Sequence, residues 1–397
     1  MNSRPAIVVA TSTYPRWEGD THPAFVHELC VRLARDVDVT VLAPTSHGAA
    51  RDEVVDGVHV RRFAYWRDRP GLLRDGPALP TLRRNPLSAL QVPTYLAALR
   101  SALRRELASR PIDAIHAHWV LPQGTIAARA RRTSPGTRLV MTSHGSDVFG
   151  VPASTPALRW TLRHADAFTG VSQAVLDRAH AIGLPESTTA MVAPMGVDTD
   201  VFRPDPEERL AVRASHGIAG PLVLFAGRLT AVKGIDVLLG AAPSIVHAHP
   251  DVTIVIAGTG ERRGELEAQA AAAGVTDHVR FIGFQTRRDL AGWYSAADVL
   301  VGPSRSEGFG LVFAEALATG CPVVVSDLPA VRTIVDGQAA GRRVPVGDPA
   351  ALAGSVREVL AGDLRGAALA DAARQGERWS WDAAAARYLP LLVPRLS

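Results

Sequence analysis

The amino-acid sequence predicts an α/β protein built from two doubly wound parallel sheets. Its 397 residues, of which 47% are hydrophobic, are enough for two domains with apolar cores. Short runs rich in valine and isoleucine alternate with longer stretches rich in alanine, leucine and arginine, as is typical of βα units in a parallel sheet. The segment MGVDTDVFRPDPEER, with Pro204 and Pro206 among acidic residues, separates one such series from the next.

The candidate strands are the short apolar runs of the two series. Those of the first series are 6–10, 39–42, 58–63, 114–117, 139–143, 167–171 and 190–193, and those of the second are 222–226, 252–257, 279–282, 299–301 and 323–325. The alanine-rich stretch 367–386 is expected to be helical. Doubly wound domains bind ligands beyond the carboxyl ends of their strands, so we expect functional residues in the loops that follow them.

Charge and cysteine content exclude several classes of protein. The net charge of +4 is small for this length, which argues against a nucleic-acid-binding arm. Cys30 and Cys321 are too few for a disulfide framework or a cysteine zinc site, so a cytoplasmic protein is expected. The amino terminus enters a short strand directly, with no apolar segment of signal-peptide or membrane-spanning length.

The segment 61–84 carries a local surplus of arginine, with aromatic residues between the charges. A solvated loop is one interpretation of this pattern. The other is a docking surface for an acidic acceptor or an anionic lipid face, which would make the protein peripheral at the inner face of a membrane.

The stretch SEGFGLVFAEALATGCPVVVSD places Glu307 and Glu315 around a predicted helix amino terminus. A buried strand at 299–301 precedes a glycine-rich turn at 306–310, and the helix covers 311–318. The ordinary interpretation is that both glutamates lie on the solvent-exposed face of a helix. Here, however, free backbone N–H groups and the helix dipole converge on the turn, which suits phosphate or sugar hydroxyl groups.

Three further loops carry polar residues at predicted strand ends. FAGRLTAVKGID places Arg228 after a strand and Lys233 before a helix, where they could be surface residues or partners of a diphosphate. In MTSHGSDVFG, His144 could be a buried polar residue, a hydrogen-bond partner of a sugar, or a proton relay. Gly19 follows the first strand, where phosphates or a transferred group often approach the backbone.

Two other patterns are weak signals. The glycines of AGTGERRGELE imitate a dinucleotide fingerprint, but the spacing is one residue too long and no acidic residue ends the following strand. In IHAHW, His116 and His118 share one strand face, but no third metal ligand lies at convincing spacing.

Taken together, these motifs resemble family-4 glycosyltransferases of the GT-B type, which are retaining and use nucleotide sugars. The most specific match is Glu307 to Glu315 followed by ALATGCPVV. The supporting motifs are GRLTAVKG, HGSD, GVD at 196–198 and the Gly19 loop, whereas Met195 stands where family members commonly have asparagine.

The resemblance implies a role for each motif residue. Arg228 and Lys233 would hold the diphosphate, Glu315 the ribose, and His144 the donor sugar from the other domain. Glu307 and the backbone of Gly308, Phe309 and Gly310, followed by Leu311 at the start of the helix, would bind the donor sugar. Gly19 would approach the phosphates or the acceptor. No metal or other cofactor is implied, because cations and helix N-termini would stabilise the leaving diphosphate.

The resemblance also implies the domain arrangement and the partners. An acceptor-binding domain would cover residues 1–200 and a nucleotide-sugar-binding domain residues 201–379, with a last helix at about 380–397 returning to the first domain. The donor would be UDP-linked slightly more often than GDP-linked, and the acceptor alcohol could be a glycan, a lipid-linked sugar or a small metabolite. A nucleotide-sugar epimerase, a phosphorylase-like enzyme and a non-catalytic sensor remain alternatives.

Overall fold

A computed structural model describes residues 4–17, 20, 24–66, 86–335, 340–362 and 364–396. The chain divides into two compact units: unit 1 contains Met1–Gly196 and Trp381–Ser397, and unit 2 contains Val197–Ser380. The divisions therefore fall at 196/197 and 380/381, where the sequence interpretation placed them at 200/201 and 379/380.

Unit 1 is built on an eight-stranded sheet in which the strand order is β3-β4-β2-β1-β5-β6-β7-β8. The pairs are parallel except β3 with β4. The strands are β1 (Ala6–Ala10), β2 (Asp38–Pro44), β3 (Asp52–Val55), β4 (Val58–Phe63), β5 (Ala114–His118), β6 (Arg138–Ser143), β7 (Ala167–Gly170) and β8 (Thr189–Val192). The strand order reverses between β1 and β5, the position at which doubly wound folds bind ligands.

The helices of unit 1 connect these parallel strands. They are α1 (Phe25–Leu33), α2 (Gln91–Ser109), α3 (Thr125–Ala130), α4 (Ser146–Phe149), α5 (Pro156–Leu162) and α6 (Gln173–Ile182). Short 3₁₀ turns cover Pro86–Leu90 and Arg131–Thr133, and a π-type turn covers Val120–Gly124.

Unit 2 is built on a six-stranded parallel sheet in which the order is β11-β10-β9-β12-β13-β14. The strands are β9 (Leu222–Ala226), β10 (Thr253–Ala257), β11 (Val279–Gly283), β12 (Val299–Gly302), β13 (Val323–Ser326) and β14 (Gly341–Val344). All residues of β9, β10, β12 and β13 are buried, which is why these strands are continuous apolar runs. The order reverses between β9 and β12.

The helices of unit 2 pack on the same sheet. They are α7 (Pro206–Ser215), α8 (Ile235–Ala248), α9 (Arg263–Ala272), α10 (Arg287–Ala296), α11 (Leu311–Ala318), α12 (Pro329–Val335), α13 (Pro349–Ala361) and α14 (Leu364–Trp379). A 3₁₀ turn at Ala231–Lys233 leads into α8. Side chains of α8, α9 and α13 pack with those of β9, β10 and β12 in one apolar core.

The chain returns to unit 1 through its last helix, α15 (Trp381–Leu392), which ends in a 3₁₀ turn at Pro394–Leu396. The hydroxyl of Tyr388 donates to the carbonyl of Ala193 at 2.8 Å, and Tyr388 is fully buried. Gly196 lies so close to Trp381 that a Cβ atom at residue 196 would be 2.5 Å from the Cα of Trp381. The carboxyl-terminal helix is therefore an integral part of unit 1, as the resemblance implied.

Each candidate strand corresponds to a strand of the structure, but two strands were missed. β3 forms a hairpin with β4 through Asp56 and Gly57, whose φ angles are 49° and 78°. An Asp-Gly pair between short strands is a hairpin signal, so the sequence did contain the evidence for β3. β14 has the sequence GRRV and lies at the sheet edge. Because of its two arginines it is not an apolar run, so it was not recognised as a strand.

Candidate active site

The candidate active site of unit 2 lies at the reversal of its strand order. The loop 227–234 follows β9 and leads to α8, and the loop 303–310 follows β12 and leads to α11. β9 and β12 are hydrogen-bonded neighbours, so both loops leave the same edge of the sheet. The two amino termini of α8 and α11 supply unpaired backbone N–H groups there.

Lys233 and Glu307 join the two loops through an ion pair. Lys233 Nζ lies 2.6 Å from Glu307 Oε1, and the side chains are 22% and 9% exposed. The hydroxyl of Ser304, itself buried, donates to the same Oε1 atom at 2.7 Å. Two protein donors therefore occupy one carboxylate oxygen, and among the described residues none hydrogen-bonds Oε2.

A second set of contacts holds the two loops at a fixed separation. The backbone N–H of Arg305 donates to the carbonyl of Val232 at 2.7 Å. The Arg305 guanidinium donates to the carbonyl of Ala231 at 2.9 Å and to both carboxylate oxygens of Asp236 at 2.9 and 2.6 Å. The hydrogen bonds from Arg305 hold the pKa of Asp236 below its usual value, so this carboxylate stays charged.

Glycines make the close approach of these loops possible. Gly234 has φ 64°, and a Cβ atom there would lie 2.0 Å from the carbonyl oxygen of Pro303. Gly310 has φ 95°, and a Cβ atom there would lie 2.6 Å from the ring of Phe313. Both residues precede a helix, so the shape of each helix amino terminus depends on a residue without a side chain.

Arg228 is exposed on the same loop as Lys233. Its side chain forms no hydrogen bond or ion pair with the residues that the structure describes, whereas Arg305 and Arg262 are each paired with Asp236. A cation without a carboxylate partner keeps its full charge for a ligand.

Glu315 lies on α11, one helical turn beyond the amino terminus, and is partly buried. Desolvation raises the pKa of its carboxyl group to about 7, and Arg287 and the Tyr294 hydroxyl act in the opposite direction. The Tyr294 hydroxyl donates to Glu315 Oε2 at 3.3 Å. Glu315 is thus an acid that changes charge near neutral pH, in surroundings quite different from those of Glu307.

The remaining members of the predicted donor set differ in what their side chains can reach. Phe309 is 6% exposed, and its ring packs edge to face on Trp379 with centroids 5.4 Å apart. Only its backbone can therefore contribute to ligand binding. Gly308 is half-buried in the turn, and Leu311 is the first residue of α11.

His144 belongs to unit 1, where it follows β6. Its ring is surrounded by Phe25, Trp119 and His118, with ring centroids 4.9, 4.7 and 5.2 Å away. Burial lowers the pKa of His144 to about 3, so the imidazole is neutral. A neutral ring can donate one hydrogen bond and accept another, but it cannot supply a positive charge.

Asp147 shapes the turn after His144. Its carboxylate accepts from the backbone N–H of Val120 and from the Ser143 hydroxyl, both at 2.7 Å. It thereby ties the loop after β6 to the turn after β5. The HGSD motif consequently contains one aromatic ring available to a ligand and one buried carboxylate with a structural role.

Two predictions fall wholly or partly outside the described residues. Gly19 is not among them, and neither is 67–85, most of the arginine-rich segment. Within the described part of that segment, Arg61 pairs with Glu106 at 2.5 Å, and the buried Arg62 pairs with Glu53. Arg61 and Arg62 therefore have structural partners, which neither the loop nor the docking interpretation anticipated.

The two weak signals are explained by packing. Cβ atoms at Gly258 and Gly260 would lie 1.8 Å from the carbonyl oxygen of Gly227 and 2.3 Å from that of Leu229. The glycines of AGTGERRGELE thus let the loop after β10 pack on the Arg228 loop. His116 and His118 are fully buried, and in the described part of the chain no group of three His, Cys, Asp or Glu side chains is placed to hold a metal ion.

Sequence reasoning missed Ser304, Arg305 and Tyr294. Ser304 contacts Glu307 and Tyr294 contacts Glu315, whereas Arg305 holds the loop of Lys233 through the carbonyl of Ala231 and the carboxylate of Asp236. A strand-end position was the available signal for Ser304 and Arg305. Tyr294, on α10, carries no such signal.

Comparison with solved structures identifies the fold. Sucrose-phosphate synthase from Thermosynechococcus elongatus superposes with a TM-score of 0.76 at 22% identity, over 99% of both chains. The lipopolysaccharide glycosyltransferase WaaG superposes with a TM-score of 0.69 at 16% identity, over 98% of this chain and 99% of that one. The chain has the GT-B fold of glycosyltransferases, which confirms the fold expected from the sequence.

Sequence comparison identifies the family. Residues 24–201 match the family described as Glycosyltransferase Family 4, and residues 209–376 match Glycosyl transferases group 1. The GDP-mannose-dependent alpha-(1-6)-phosphatidylinositol monomannoside mannosyltransferase of Mycobacterium tuberculosis is 32% identical over 97% of both chains. The D-inositol 3-phosphate glycosyltransferase of Xylanimonas cellulosilytica is 40% identical over 60% of this chain and 57% of its own. The chain therefore belongs to glycosyltransferase family 4 and is a glycosyltransferase.

Proposed function

We propose that this glycosyltransferase moves a hexosyl group from a nucleoside diphosphate sugar to an acceptor hydroxyl with retention of configuration and without a metal ion. The observation that carries the proposal is the pairing of Lys233 with Glu307 between two helix amino termini. It supports the proposal because it combines a positive charge suited to a leaving diphosphate with a carboxylate suited to sugar hydroxyls.

The leaving group is stabilised by fixed charges of the protein. Arg228 and Lys233 supply two cations, and the amino termini of α8 and α11 supply backbone donors and the positive ends of two helix dipoles. A divalent metal ion performs the same electrostatic task in other enzymes. The proposal assigns that task here to Arg228, Lys233 and the helix termini.

The transfer step itself exchanges one bond for another at the anomeric carbon. The bond from that carbon to the diphosphate oxygen breaks on the same face on which the bond to the acceptor oxygen forms. The acceptor hydroxyl gives its proton to the departing phosphate oxygen, so neither glutamate acts as a nucleophile. Retention follows because both events occur on one face of an oxocarbenium-like sugar.

Glu307 and Glu315 have different tasks in this scheme. The Oε1 atom of Glu307 already accepts from Lys233 and Ser304, so Oε2 is the atom that would accept from donor-sugar hydroxyls. Glu315 would accept from the ribose hydroxyls. In unit 1, His144 would contact the donor sugar as a neutral hydrogen-bonding ring.

The relatives narrow the choice of substrates to test. The M. tuberculosis relative is named for GDP-mannose, whereas a structurally similar Anabaena protein, HepE, was solved with UDP and glucose. The names of the mannosyltransferase and the inositol glycosyltransferase relatives share an inositol phosphate acceptor. We therefore propose a phosphoinositol-containing acceptor alcohol, with GDP-mannose tested as donor ahead of UDP-sugars.

The test is a panel of nucleotide sugars followed by product analysis. Thermal stabilisation by each donor identifies the base and the sugar, and NMR of the product made from each of several acceptors gives the anomeric configuration. We expect retention and a rate unchanged by EDTA. An inverted product or strict dependence on manganese or magnesium would contradict the proposal, and conversion of the donor to an epimer without acceptor would support the epimerase alternative.

A cationic helix face on unit 1 supports a peripheral contact with an anionic membrane. Arg100, Arg104 and Arg105 are exposed on α2, and Arg129 on α3 and Arg132 on the 3₁₀ turn after it are exposed on elements that pack against α2. None of the five pairs with a carboxylate among the described residues. No helix in the described ranges is long and apolar enough to cross a bilayer.

Exposed apolar residues precede the same helix. Leu87 and Leu90, in the turn that precedes α2, are 75% and 65% exposed. A helix with exposed arginines, preceded by exposed leucines, has the two components of an interfacial helix, which combines attraction to anionic lipid with shallow apolar insertion.

Vesicle flotation tests this contact. The full chain should bind vesicles of phosphatidylcholine with anionic phosphatidylglycerol and should not bind phosphatidylcholine alone. Charge reversal of Arg100, Arg104 and Arg105 to glutamate should abolish binding, whereas the same change at the exposed Arg203, Arg288 and Arg357 of unit 2 should not. Equal loss in both variants would show a dependence on net charge alone.

A further inference from the structure

The HAH stretch of β5 brings a second histidine against His144. His118 Nδ1 lies 3.0 Å from His144 Nε2, and the two ring planes are only 12° apart with centroids separated by 5.2 Å. One of the two nitrogens donates to the other. The direction of this hydrogen bond decides which nitrogen of His144 carries a proton.

The surroundings of His118 favour one direction. His118 is fully buried, and its Nε2 has no hydrogen-bond partner among the described residues. If His144 donated to His118, the proton of His118 would lie on Nε2, which would leave a buried N–H without an acceptor. If His118 donates, its buried Nε2 keeps only a lone pair without a partner, and the unpaired N–H is instead at Nδ1 of His144, which is only half-buried. Buried unpaired N–H groups are rarer in proteins than unpaired acceptors.

Neither imidazole takes a second proton, so each ring carries a proton on only one of its two nitrogens. Burial lowers the pKa of His118, and the neighbouring His116 and His144 lower it further. His116 does not compete for the contact, because its Nε2 lies 2.7 Å from the Thr142 hydroxyl. Both partners of the hydrogen bond are therefore neutral imidazoles.

From this geometry we infer that His118 is a positioning residue that fixes His144 in the tautomer with its proton on Nδ1. In water a neutral imidazole carries its proton mainly on Nε2, so the protein imposes the rarer form. Nδ1 of His144 has no hydrogen-bond partner among the described residues. In this tautomer Nδ1 can donate to an oxygen atom of a ligand but cannot accept from a hydroxyl group.

This assignment deepens the proposed function, on which its consequence for catalysis rests. If His144 contacts the donor sugar, it does so by donating to a sugar oxygen. The neighbouring rings of Phe25 and Trp119 hold the orientation of His144, and His118 adds the proton position.

The test is nitrogen NMR of the full chain labelled with ¹⁵N-histidine, with His144 assigned from His144→Gln. We expect the ¹⁵N chemical shifts of His144 to show a protonated Nδ1 and an unprotonated Nε2. A proton on Nε2 of His144 in the wild-type chain would overturn the inference. This readout needs no activity, so it stands or fails separately from the proposed sugar transfer.

Two variants of His118 form a matched pair. The side-chain amide of His118→Asn can still donate near the Nδ1 position, whereas His118→Leu has no donor. We expect His118→Asn to keep the His144 tautomer and His118→Leu to lose it, with kcat about tenfold lower in the leucine variant alone, which is the value of one hydrogen bond. An unchanged tautomer in His118→Leu would also overturn the inference.

Discussion

Lys233 Nζ and Glu307 Oε1 are 2.6 Å apart, so the two residues proposed to bind opposite ends of the sugar–diphosphate bond neutralise each other. Each side chain therefore positions its partner as well as any ligand. Lys233→Ala should remove about 2 to 4 kcal/mol of transition-state stabilisation, seen as a lower kcat/KM, because a charge facing the leaving diphosphate is lost. Steady-state kinetics with the preferred donor measure the loss.

The pair also predicts that the two substitutions are not additive. Lys233→Ala leaves Glu307 without one of its donors, so Glu307→Gln should cost less in that background than in the wild-type chain. A double-mutant cycle on kcat/KM gives the coupling. Strict additivity would mean that the ion pair has no part in the reaction.

Arg228→Ala should impair the enzyme without destabilising it. The side chain is exposed and forms no contact with a carboxylate of the described residues, so its removal leaves the fold intact. We expect a loss in kcat/KM of the same order as for Lys233→Ala, about 2 to 4 kcal/mol, and an unchanged urea midpoint. The matched control is Arg203→Ala, at another exposed arginine of unit 2, which should be neutral in both assays.

The two glutamates should separate in binding experiments with free nucleoside diphosphate. Glu315→Gln should weaken the diphosphate by about 1.5 to 3 kcal/mol, because the ribose is common to donor and product. Glu307→Gln should leave that affinity nearly unchanged while lowering transfer. Titration calorimetry at constant pH resolves the difference, and equal losses in both variants would show that the two tasks were wrongly divided.

Glu315 should also make stability depend on pH. Its pKa is raised from 4.5 to about 7, so the folded protein holds a proton that the unfolded chain releases between these values. Stability should therefore fall as pH rises from about 4.5 to 7, by at most about 3 to 4 kcal/mol. Urea unfolding at pH 5 and pH 8 should show this fall in the wild-type chain and a smaller one in Glu315→Gln. The same fall in stability in both proteins would contradict the inference that burial raises the pKa of Glu315.

A methyl group at residue 234 should destabilise the enzyme more than one at residue 217. Both glycines have positive φ, 64° and 61°, but only Gly234 has a backbone oxygen where the Cβ would lie. Gly217→Ala should cost about 1 to 2 kcal/mol for the left-handed backbone. Gly234→Ala should cost about 2 kcal/mol more for displacing Pro303 and should also reduce activity. Urea unfolding and the transfer assay measure the two effects.

The fold was predictable because fully buried parallel strands are continuous apolar runs. β1, β9 and β10 are of this kind, and their predicted bounds match the structure to within a residue. β14 was not predictable in this way, because two arginines interrupt its apolar character at the sheet edge. The alanine-rich stretch 367–386 was expected to be helical and a last helix was expected at about 380–397, and in the structure the break between α14 and α15 falls at Ser380.

The site was predictable as a set of strand ends but not as a set of contacts. Arg228, Lys233 and Glu307 could be placed on neighbouring loops from the strand pattern alone. The pairing of Lys233 with Glu307 could not be predicted, because their distance depends on the close contact of Gly234 with the backbone of Pro303. Likewise the raised pKa of Glu315 follows from burial, which a helix position in the sequence does not reveal.

The close approach of Gly258 to Gly227 has a consequence for engineering donor preference. In a saturation library, position 258 should tolerate almost no replacement. The cation Arg228 nevertheless belongs to the loop that Gly258 packs against and not to position 258 itself. Phe284, which follows β11 at the same edge of the sheet, is 57% exposed. Diversity should therefore be introduced at 284, while 258 is kept constant.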